Sequence, residues 1–159
     1  MENIRVGFGY DVHQLEVGLK FVLGGIHIPF EKGPVAHSDG DVLIHALCDA
    51  LLGAACLGDI GVHFPDTSDE FKGIDSKVLL RKTIEKLDEI GYHVINIDST
   101  VNLQRPKIKE YIPEIQSMLA KLMKIQTNQV SVKATTTEKL GFVGREEGIA
   151  AQVVVLISK

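Results

Sequence analysis

The sequence of 159 residues has few cysteines, no excess of positive charge and no long apolar run. Its two cysteines, Cys48 and Cys56, are too few for a disulfide framework, which indicates a reduced environment. The net charge of −4 argues against binding to a nucleic-acid backbone. No apolar stretch approaches the roughly 20 residues of a membrane span, and the N-terminus lacks the apolar core of a signal peptide. We therefore expect a cytoplasmic protein whose partners are neither nucleic acids nor membranes.

The chain also lacks linkers, low-complexity segments and internal repeats. One domain over residues 1–159 is the resulting prediction, and this length is sufficient to bury a substantial core. There is neither a Walker pattern nor a G-x-G-x-x-G pattern, so a standard nucleotide-binding fold is not expected.

The periodicity of apolar residues predicts strands and helices in mixed order. An α+β sandwich is therefore expected, with a mixed sheet and helices packed on one face. In one predicted strand, Ile95, Ile97, Ser99 and Val101 are expected to share a face. The predicted strands are 4–13, 94–103, 130–135 and 149–157, with a hairpin over 20–29. One predicted helix carries Leu43, Leu47, Leu51, Ala54 and both cysteines, a second spans about 75–90, and a third follows Pro113. Residues 58–73 are predicted to form a long loop.

The first segment suited to chemistry is the pair Asp11 and His13. Residues two apart on a strand point to the same face, about 7 Å apart along the chain, so both side chains can converge on one ion. The glycines nearby, Gly7 and Gly9, argue against a purely structural segment. A surface aspartate beside a histidine at a strand end is the alternative interpretation.

The second segment, 37–45, contains two histidines, two aspartates and a serine at a predicted helix start. Asp39 or Asp41 can cap the helix, which leaves the other polar residues to be explained. Capping does not account for His37 or His45.

Asp11, His13 and His45 together form a plausible set of three metal ligands. This combination of nitrogen and oxygen donors suits a catalytic Zn²⁺ site with one open position. A closed structural site would need a fourth ligand, and Cys48 is more readily explained as buried packing.

Two further segments can bind polar groups of a ligand. In 57–67, glycines free the backbone and two aspartates can grip hydroxyl groups, although a glycine-rich turn with an Asx cap explains them equally well. In 132–142, three threonines and Glu138 follow a strand, where hydroxyls and N–H groups can form a phosphate cradle. Arg145 can add a bidentate phosphate partner; the β-propensity of threonine is the alternative explanation.

Together these segments resemble the 2-C-methyl-D-erythritol 2,4-cyclodiphosphate synthases of the non-mevalonate isoprenoid pathway. The resemblance extends over nearly the whole chain. It rests on Gly-Tyr-Asp-Val-His at 9–13, Ala-His-Ser-Asp-Gly-Asp at 36–41, His-Ala-Leu at 45–47, Gly-Asp-Ile-Gly at 58–61, Phe-Pro-Asp at 64–66 and Lys-Ala-Thr-Thr-Thr-Glu-Lys-Leu-Gly-Phe at 133–142.

The resemblance implies a role for each matched residue. The zinc ligands of the family match Asp11, His13 and His45. His37 and Thr136 match the pair that steadies the transition state, and Glu138 matches a ligand of Mg²⁺, or Mn²⁺, on the substrate diphosphate. The implied contacts to the erythritol are Ser38 and Asp66, and those to the ribose are Asp59 and Gly61. The implied cytosine pocket is formed by Leu103, Pro106, Lys107, Ile108, Lys109, Ala134, Thr135 and Thr136. Further implied substrate contacts are Ile60, Phe64, Pro65 and Thr137.

The resemblance also implies the reaction and the assembly. The family converts 4-diphosphocytidyl-2-C-methyl-D-erythritol 2-phosphate to the cyclic 2,4-diphosphate and CMP, as phosphorus–oxygen lyases. It forms homotrimers, with one zinc ion per subunit and active sites between neighbouring subunits. Phe142 and Arg145 match positions in a central channel of the trimer, where an isoprenoid diphosphate can bind. Leu103 and Arg105 are bulkier than is usual in the family, so we expect an adjusted pocket shape and a retained preference for cytidine.

Without the resemblance, two other functions would fit the same residues. A zinc-dependent phosphohydrolase would consume water and release an open phosphate product. A non-catalytic trimer that binds metal or nucleotide would turn nothing over.

Overall fold

A computed structural model describes residues 3–65 and 73–159, which contain seven strands and five α-helices. The strands are β1 (Arg5–Val17), β2 (Val22–Leu23), β3 (Ile26–His27), β4 (Lys32–Pro34), β5 (His93–Asn102), β6 (Val130–Thr135) and β7 (Gly148–Ser158). The helices are α1 (Val42–Ala54), α2 (Ile60–His63), α3 (Ser76–Glu89), α4 (Ile112–Met123) and α5 (Gly141–Gly144), and short 3₁₀ turns occur at Lys109–Tyr111 and Thr127–Gln129.

Five strands form one mixed sheet in the order β4-β1-β7-β5-β6. The pairs β4–β1, β1–β7 and β7–β5 are antiparallel, whereas β5 and β6 run parallel. A parallel pair needs a crossover connection, and α4 lies in the chain between these two strands. β2 and β3 form the separate hairpin that the paired glycines predict. The predicted α+β fold with a mixed sheet is thus confirmed.

The three long helices cover one face of this sheet. Helix α1 packs on β1 and β7, α4 packs on β6, and α3 packs against both α1 and α4. In β7, alternate residues from Ile149 to Ile157 face the helices and are fully buried. The other face is open along β1, where Val6 is 66% exposed and Phe8 is 63% exposed. Within the described residues, no helix has the length and apolar character of a membrane span.

Aspartates at the helix starts hold the helices in place. Asp41 is the N-cap of α1, because its Oδ1 accepts a hydrogen bond from the backbone N–H of Ile44 at 3.1 Å. Its two carboxylate oxygens also accept from the N–H groups of Gly24 (2.9 Å) and Gly25 (2.6 Å), which ties the hairpin to α1. Burial raises the pKa of Asp41, and the hydrogen bonds from the backbone oppose this shift. The other candidate cap, Asp39, instead binds the start of α3.

Two predictions about strands need correction. The strand predicted over 4–13 extends to Val17, because β1 continues far enough to pair with β4. In β5, the pairing with β7 shifts register between Val94 and Asn96. A bulge of this kind reverses the alternation of faces, so Val94 is buried and Ile95 is only partly buried. Ile95 therefore does not share the face of Ile97.

Three predictions about helices and loops also need correction. Helix α4 begins at Ile112, so Pro113 lies in its first turn, where a missing N–H costs nothing. Cys56 lies beyond the end of α1 and has a positive φ of 59°, so the two cysteines are not in one helix. The segment 58–73 is not entirely a loop, since it contains α2.

Candidate metal centre and substrate cavities

Three side chains from β1 and α1 converge on one point. Asp11 Oδ2 lies 3.0 Å from His13 Nε2 and 3.1 Å from His45 Nδ1. The two histidine nitrogens are 3.1 Å apart, and the rings meet edge to face. The structure therefore brings together the three residues that spacing selected as metal ligands.

The electrostatics of this cluster favour an ionised carboxylate. Burial alone would raise the pKa of Asp11, but the hydrogen bonds and charges of His13 and His45 outweigh it and hold this pKa well below its usual range. Burial would lower the pKa of His45, and the hydrogen bond with Asp11 and the negative charge of that carboxylate raise it instead. An anionic oxygen beside two imidazole nitrogens is a donor set that fits a divalent transition metal.

The cluster opens into a cavity of about 340 Å³. Predicted functional residues from three parts of the chain line it together. They are Asp11 and His13, then His37, Ser38 and His45, and then Ile60, Gly61 and Phe64, with Ala36, Ile74 and Leu79 completing the wall. Pro65 follows Phe64 directly, and the predicted erythritol contact Asp66 lies outside the described residues.

Two residues behind His45 were missed from the sequence. Ser76 Oγ lies 2.9 Å from His45 Nε2, and the Ser76 hydroxyl donates to Asp39 Oδ1. The sequence pattern indicates a helix cap for Asp39 and no role for Ser76. No spacing rule connects Ser76 to His45, because these two residues are 31 positions apart in sequence.

The predicted ribose-binding loop contains an Asx cap. Asp59 is the N-cap of α2, where its Oδ1 accepts from the N–H of Val62 at 3.0 Å. Asp49, for which no role is predicted above, accepts from the N–H of Ile60 at 2.8 Å and so holds this loop against α1. Burial raises the pKa of Asp49. Its position one helical turn after His45 is the signal that would have found it.

The predicted cytosine contacts line a second cavity of about 260 Å³. Its residues come from the end of β5, the segment that follows it and the end of β6. They are Leu103, Gln104, Pro106, Lys107, Ile108, Lys109, Ile112, Ala134, Thr135 and Thr136.

Arg105 is bound beside this second cavity instead of lining it. It forms a bidentate ion pair with Glu146, with both distances 2.7 Å, and a further contact of 3.0 Å with Glu31. Leu103, the other unusual residue of the segment, lines the cavity and is buried. Of the two residues that were expected to alter the pocket, Leu103 lines it and Arg105 does not.

The threonine-rich turn after β6 carries the remaining predicted residues. Thr136 Oγ1 donates to Glu138 Oε1 at 2.9 Å, and Thr137 Oγ1 donates to the carbonyl of Leu140 at 2.6 Å. Arg145, which the sequence offered as a phosphate partner, is paired with Glu147 at 2.9 Å. Phe142, on α5, is exposed.

The two cavities are distinct in the single chain, and the described residues that line them do not overlap. Asp11 pairs with Ala151, which pairs with Val101, which pairs with Ala134. These residues form one row across the sheet, so the two sites are separated by three strand spacings, or about 14 Å. His37 and Thr136, the predicted catalytic pair, therefore lie in different cavities.

A mixed sheet with a partly buried histidine–aspartate cluster beside a cavity fits a metal-dependent enzyme. Residues 4–158 match the family model described as the YgbB family. A 2-C-methyl-D-erythritol 2,4-cyclodiphosphate synthase from Phocaeicola vulgatus is 62% identical over 157 residues, which cover 99% of this chain and 98% of that protein. The chain therefore belongs to the YgbB family, and its predicted activity as a cyclodiphosphate synthase, a lyase, is confirmed.

Solved structures agree with this assignment. The bifunctional IspDF from Campylobacter jejuni has 46% identity and a TM-score of 0.96 over 99% of this chain, which spans 43% of that longer protein. The IspF–CDP complex from Plasmodium falciparum has 33% identity and a TM-score of 0.86, with 98% of this chain and 96% of that chain covered.

Proposed function

We propose that this chain converts 4-diphosphocytidyl-2-C-methyl-D-erythritol 2-phosphate to 2-C-methyl-D-erythritol 2,4-cyclodiphosphate and CMP at the cluster of Asp11, His13 and His45. An oxygen of the 2-phosphate attacks the β-phosphorus, and the bond from that phosphorus to the bridging oxygen breaks as CMP leaves. One observation carries this proposal. The three ligand atoms meet in a cavity that also contains His37, a predicted catalytic residue.

Zn²⁺ is the metal we assign to this cluster. Two imidazole nitrogens and a carboxylate oxygen are donors it prefers, and three protein ligands are typical of its catalytic sites. Glu138 is assigned to Mg²⁺ or Mn²⁺, which prefer oxygen ligands and bind together with substrate phosphates. When bound, the cations would neutralise the anionic phosphates and polarise them as Lewis acids.

The residues of the chain itself orient the substrate. His37 and Ser38 are on the wall of the metal cavity, and the loop capped by Asp59 borders it. His37 and Thr136 donate hydrogen bonds to oxygens of the transferred phosphoryl group, where charge develops in the transition state. Holding the 2-phosphate against the β-phosphorus can lower the barrier by about 7–11 kcal/mol in favourable systems. The attacking phosphate is already ionised, so no general base is needed.

The cytidine pocket is assigned to a neighbouring copy of the chain. The cavity of Leu103 and Thr136 is separated from the metal cluster by about 14 Å of sheet, which supports a site completed by a second subunit. A cavity lined by backbone and side chains of one subunit would then face the metal cavity of the next. This arrangement would allow His37 of one subunit and Thr136 of the next to donate hydrogen bonds to the same phosphoryl group.

The open face of the sheet supports a homotrimer. Val6, Phe8, Tyr10 and Val12 of β1 are all more than 40% exposed, and Phe8 pairs with Val154, which is also exposed. A contiguous apolar patch of this kind is typical of protein–protein interfaces. Three copies related by a closed rotation would bury this face in every subunit. Phe142 and Arg145 are assigned to the central channel of that trimer.

Phosphorus NMR of the reaction distinguishes the proposed function from its rivals. Purified protein is supplied with the diphosphocytidyl substrate, Mg²⁺ and Zn²⁺. The proposal predicts a cyclic diphosphate together with CMP. CMP with an uncyclised diphosphate would identify water as the nucleophile and the protein as a phosphohydrolase. No turnover by folded, zinc-loaded protein would indicate a binding protein.

Two further expectations stay predictions. One is a single domain over residues 1–159, which the family match over residues 4–158 and the shared buried core support. The other is a cytoplasmic location, which rests on the sequence.

A further inference from the structure

The ring nitrogen of His45 that points away from the metal cluster contacts two serine hydroxyl groups. Its Nε2 atom lies 2.9 Å from Ser76 Oγ and 3.1 Å from Ser38 Oγ. His45 is 6% exposed and Ser76 is fully buried, so these hydroxyls replace water as partners of the ring. The other ring nitrogen, Nδ1, faces Asp11 in the metal cluster.

The hydrogen bonds of Ser76 determine whether Nε2 of His45 carries a proton. Its hydroxyl donates to Asp39 Oδ1, and its backbone N–H donates to Asp39 Oδ2 at 2.9 Å. A hydroxyl has a single proton, so the oxygen of Ser76 can only accept a hydrogen bond from His45. A ring proton of His45 is thereby placed on Nε2, so Nδ1, which faces Asp11, is the nitrogen that can release its proton and coordinate a metal.

We infer that Asp39 and Ser76 are positioning residues that fix the Nε2–H tautomer and the ring orientation of His45, so that Nδ1 is presented to the metal. This inference rests on the proposed metal site. Hydrogen bonds to the second nitrogen of a ligating histidine orient the ring and raise its basicity. We call the hydrogen bonds from Asp39 through Ser76 to His45 the relay. Because Ser76 is the first residue of α3 and His45 lies on α1, the relay also fixes the position of one helix relative to the other.

The test is the affinity for Zn²⁺ of Ser76→Ala, measured by competition with a chromophoric chelator. Loss of a partner of this kind typically weakens metal binding by about 10- to 100-fold. The matched control is Thr83→Val, which removes another buried hydroxyl from the same helix. That hydroxyl donates to the carbonyl of Leu79 and does not contact His45. Ser76→Thr, which keeps the hydroxyl, is expected to restore most of the affinity.

Nitrogen-15 NMR of the zinc-loaded wild type supplies a second measurement that needs no variant. The inference predicts that His45 is protonated at Nε2 and coordinates through Nδ1. Coordination through Nε2, or an affinity of Ser76→Ala equal to that of Thr83→Val, would overturn the relay and leave the metal site in place. A wild-type protein that binds no zinc would instead overturn the metal site, and the relay with it.

Discussion

Gly9 lies so close to the backbone of Ala46 that a methyl group on its α-carbon would be 1.8 Å from the Ala46 carbonyl oxygen. Gly7 has the same relationship to the next turn of α1. Alternate residues of a strand share a face, so the face of β1 that contacts α1 at these glycines also carries Asp11. The absence of side chains at these two glycines therefore lets His45 lie within hydrogen-bond distance of Asp11 and His13.

Gly9→Ala tests this contact. The added methyl group meets backbone atoms that cannot rotate away, so α1 must shift. We expect the free energy of unfolding to fall by at least about 1–3 kcal/mol and the binding of Zn²⁺ to weaken. The control is Gly53→Ala on the same helix, where an added methyl group meets open space. That substitution should stabilise the protein by about 0.4–1 kcal/mol. Urea unfolding of both variants measures these free energies. Equal stabilities of the two variants would contradict the close contact between Gly9 and α1.

His45→Ala is expected to abolish zinc binding and turnover while the fold is retained. In the proposed zinc site this side chain supplies one of three ligand atoms, and its removal leaves two donors, too few for a stable site. Zinc content after dialysis and the circular dichroism spectrum are the measurements. His27→Ala, at an exposed histidine outside the cluster, is the control and should keep both properties. Retained zinc and activity in His45→Ala would remove this residue from the ligand set.

Thr136→Ala should lower kcat by about 10-fold or more, which is the scale of one lost transition-state hydrogen bond. Thr136 is exposed in the single chain, so the stability of the variant should be close to that of the wild type. Thr136→Ser keeps the hydroxyl and should recover most of the activity. An unchanged kcat in the alanine variant would exclude Thr136 from the mechanism.

The two cysteines should react with iodoacetamide at very different rates. Burial raises the pKa of the Cys48 thiol to about 12, so almost no thiolate is present at neutral pH. Cys56 is exposed beyond the end of α1. Mass spectrometry of the native protein should show one alkylated cysteine, and Cys56→Ser should remove that modification. Rapid labelling of both thiols in the native state would contradict the buried position of Cys48.

Relationships that depend on nearby residues could be predicted from the sequence. Strand periodicity places Asp11 and His13 on one face, and capping chemistry limits the N-cap of α1 to Asp39 or Asp41, of which the structure shows Asp41. The interpretation of Gly7 and Gly9 as evidence against a structural segment is wrong, because both glycines are explained by packing, namely the close approach of the α1 backbone. Local spacing was therefore sufficient to place Asp11 beside His13, whereas the approach of His45, 32 positions beyond His13, depends on the packing of α1 on β1.

Relationships between distant segments could not be predicted from the sequence. The bulge beside Ile95 depends on the pairing of β5 with β7, which no local pattern encodes. The parallel pairing of β5 with β6 likewise depends on the crossover through α4. Ser76 reaches His45 only because α3 packs on α1, so its role required the structure.

The central claim is that the metal ligands of one subunit act together with Thr136 of its neighbour. The most direct test combines two inactive variants, His45→Ala and the double variant Thr136→Ala with Glu138→Gln, in co-assembled oligomers whose mixed composition is verified by two affinity tags. Random mixing would give each site two intact halves about one time in four, so activity near a quarter of the wild-type value is predicted. No recovery of activity in verified mixed assemblies would contradict the shared active site.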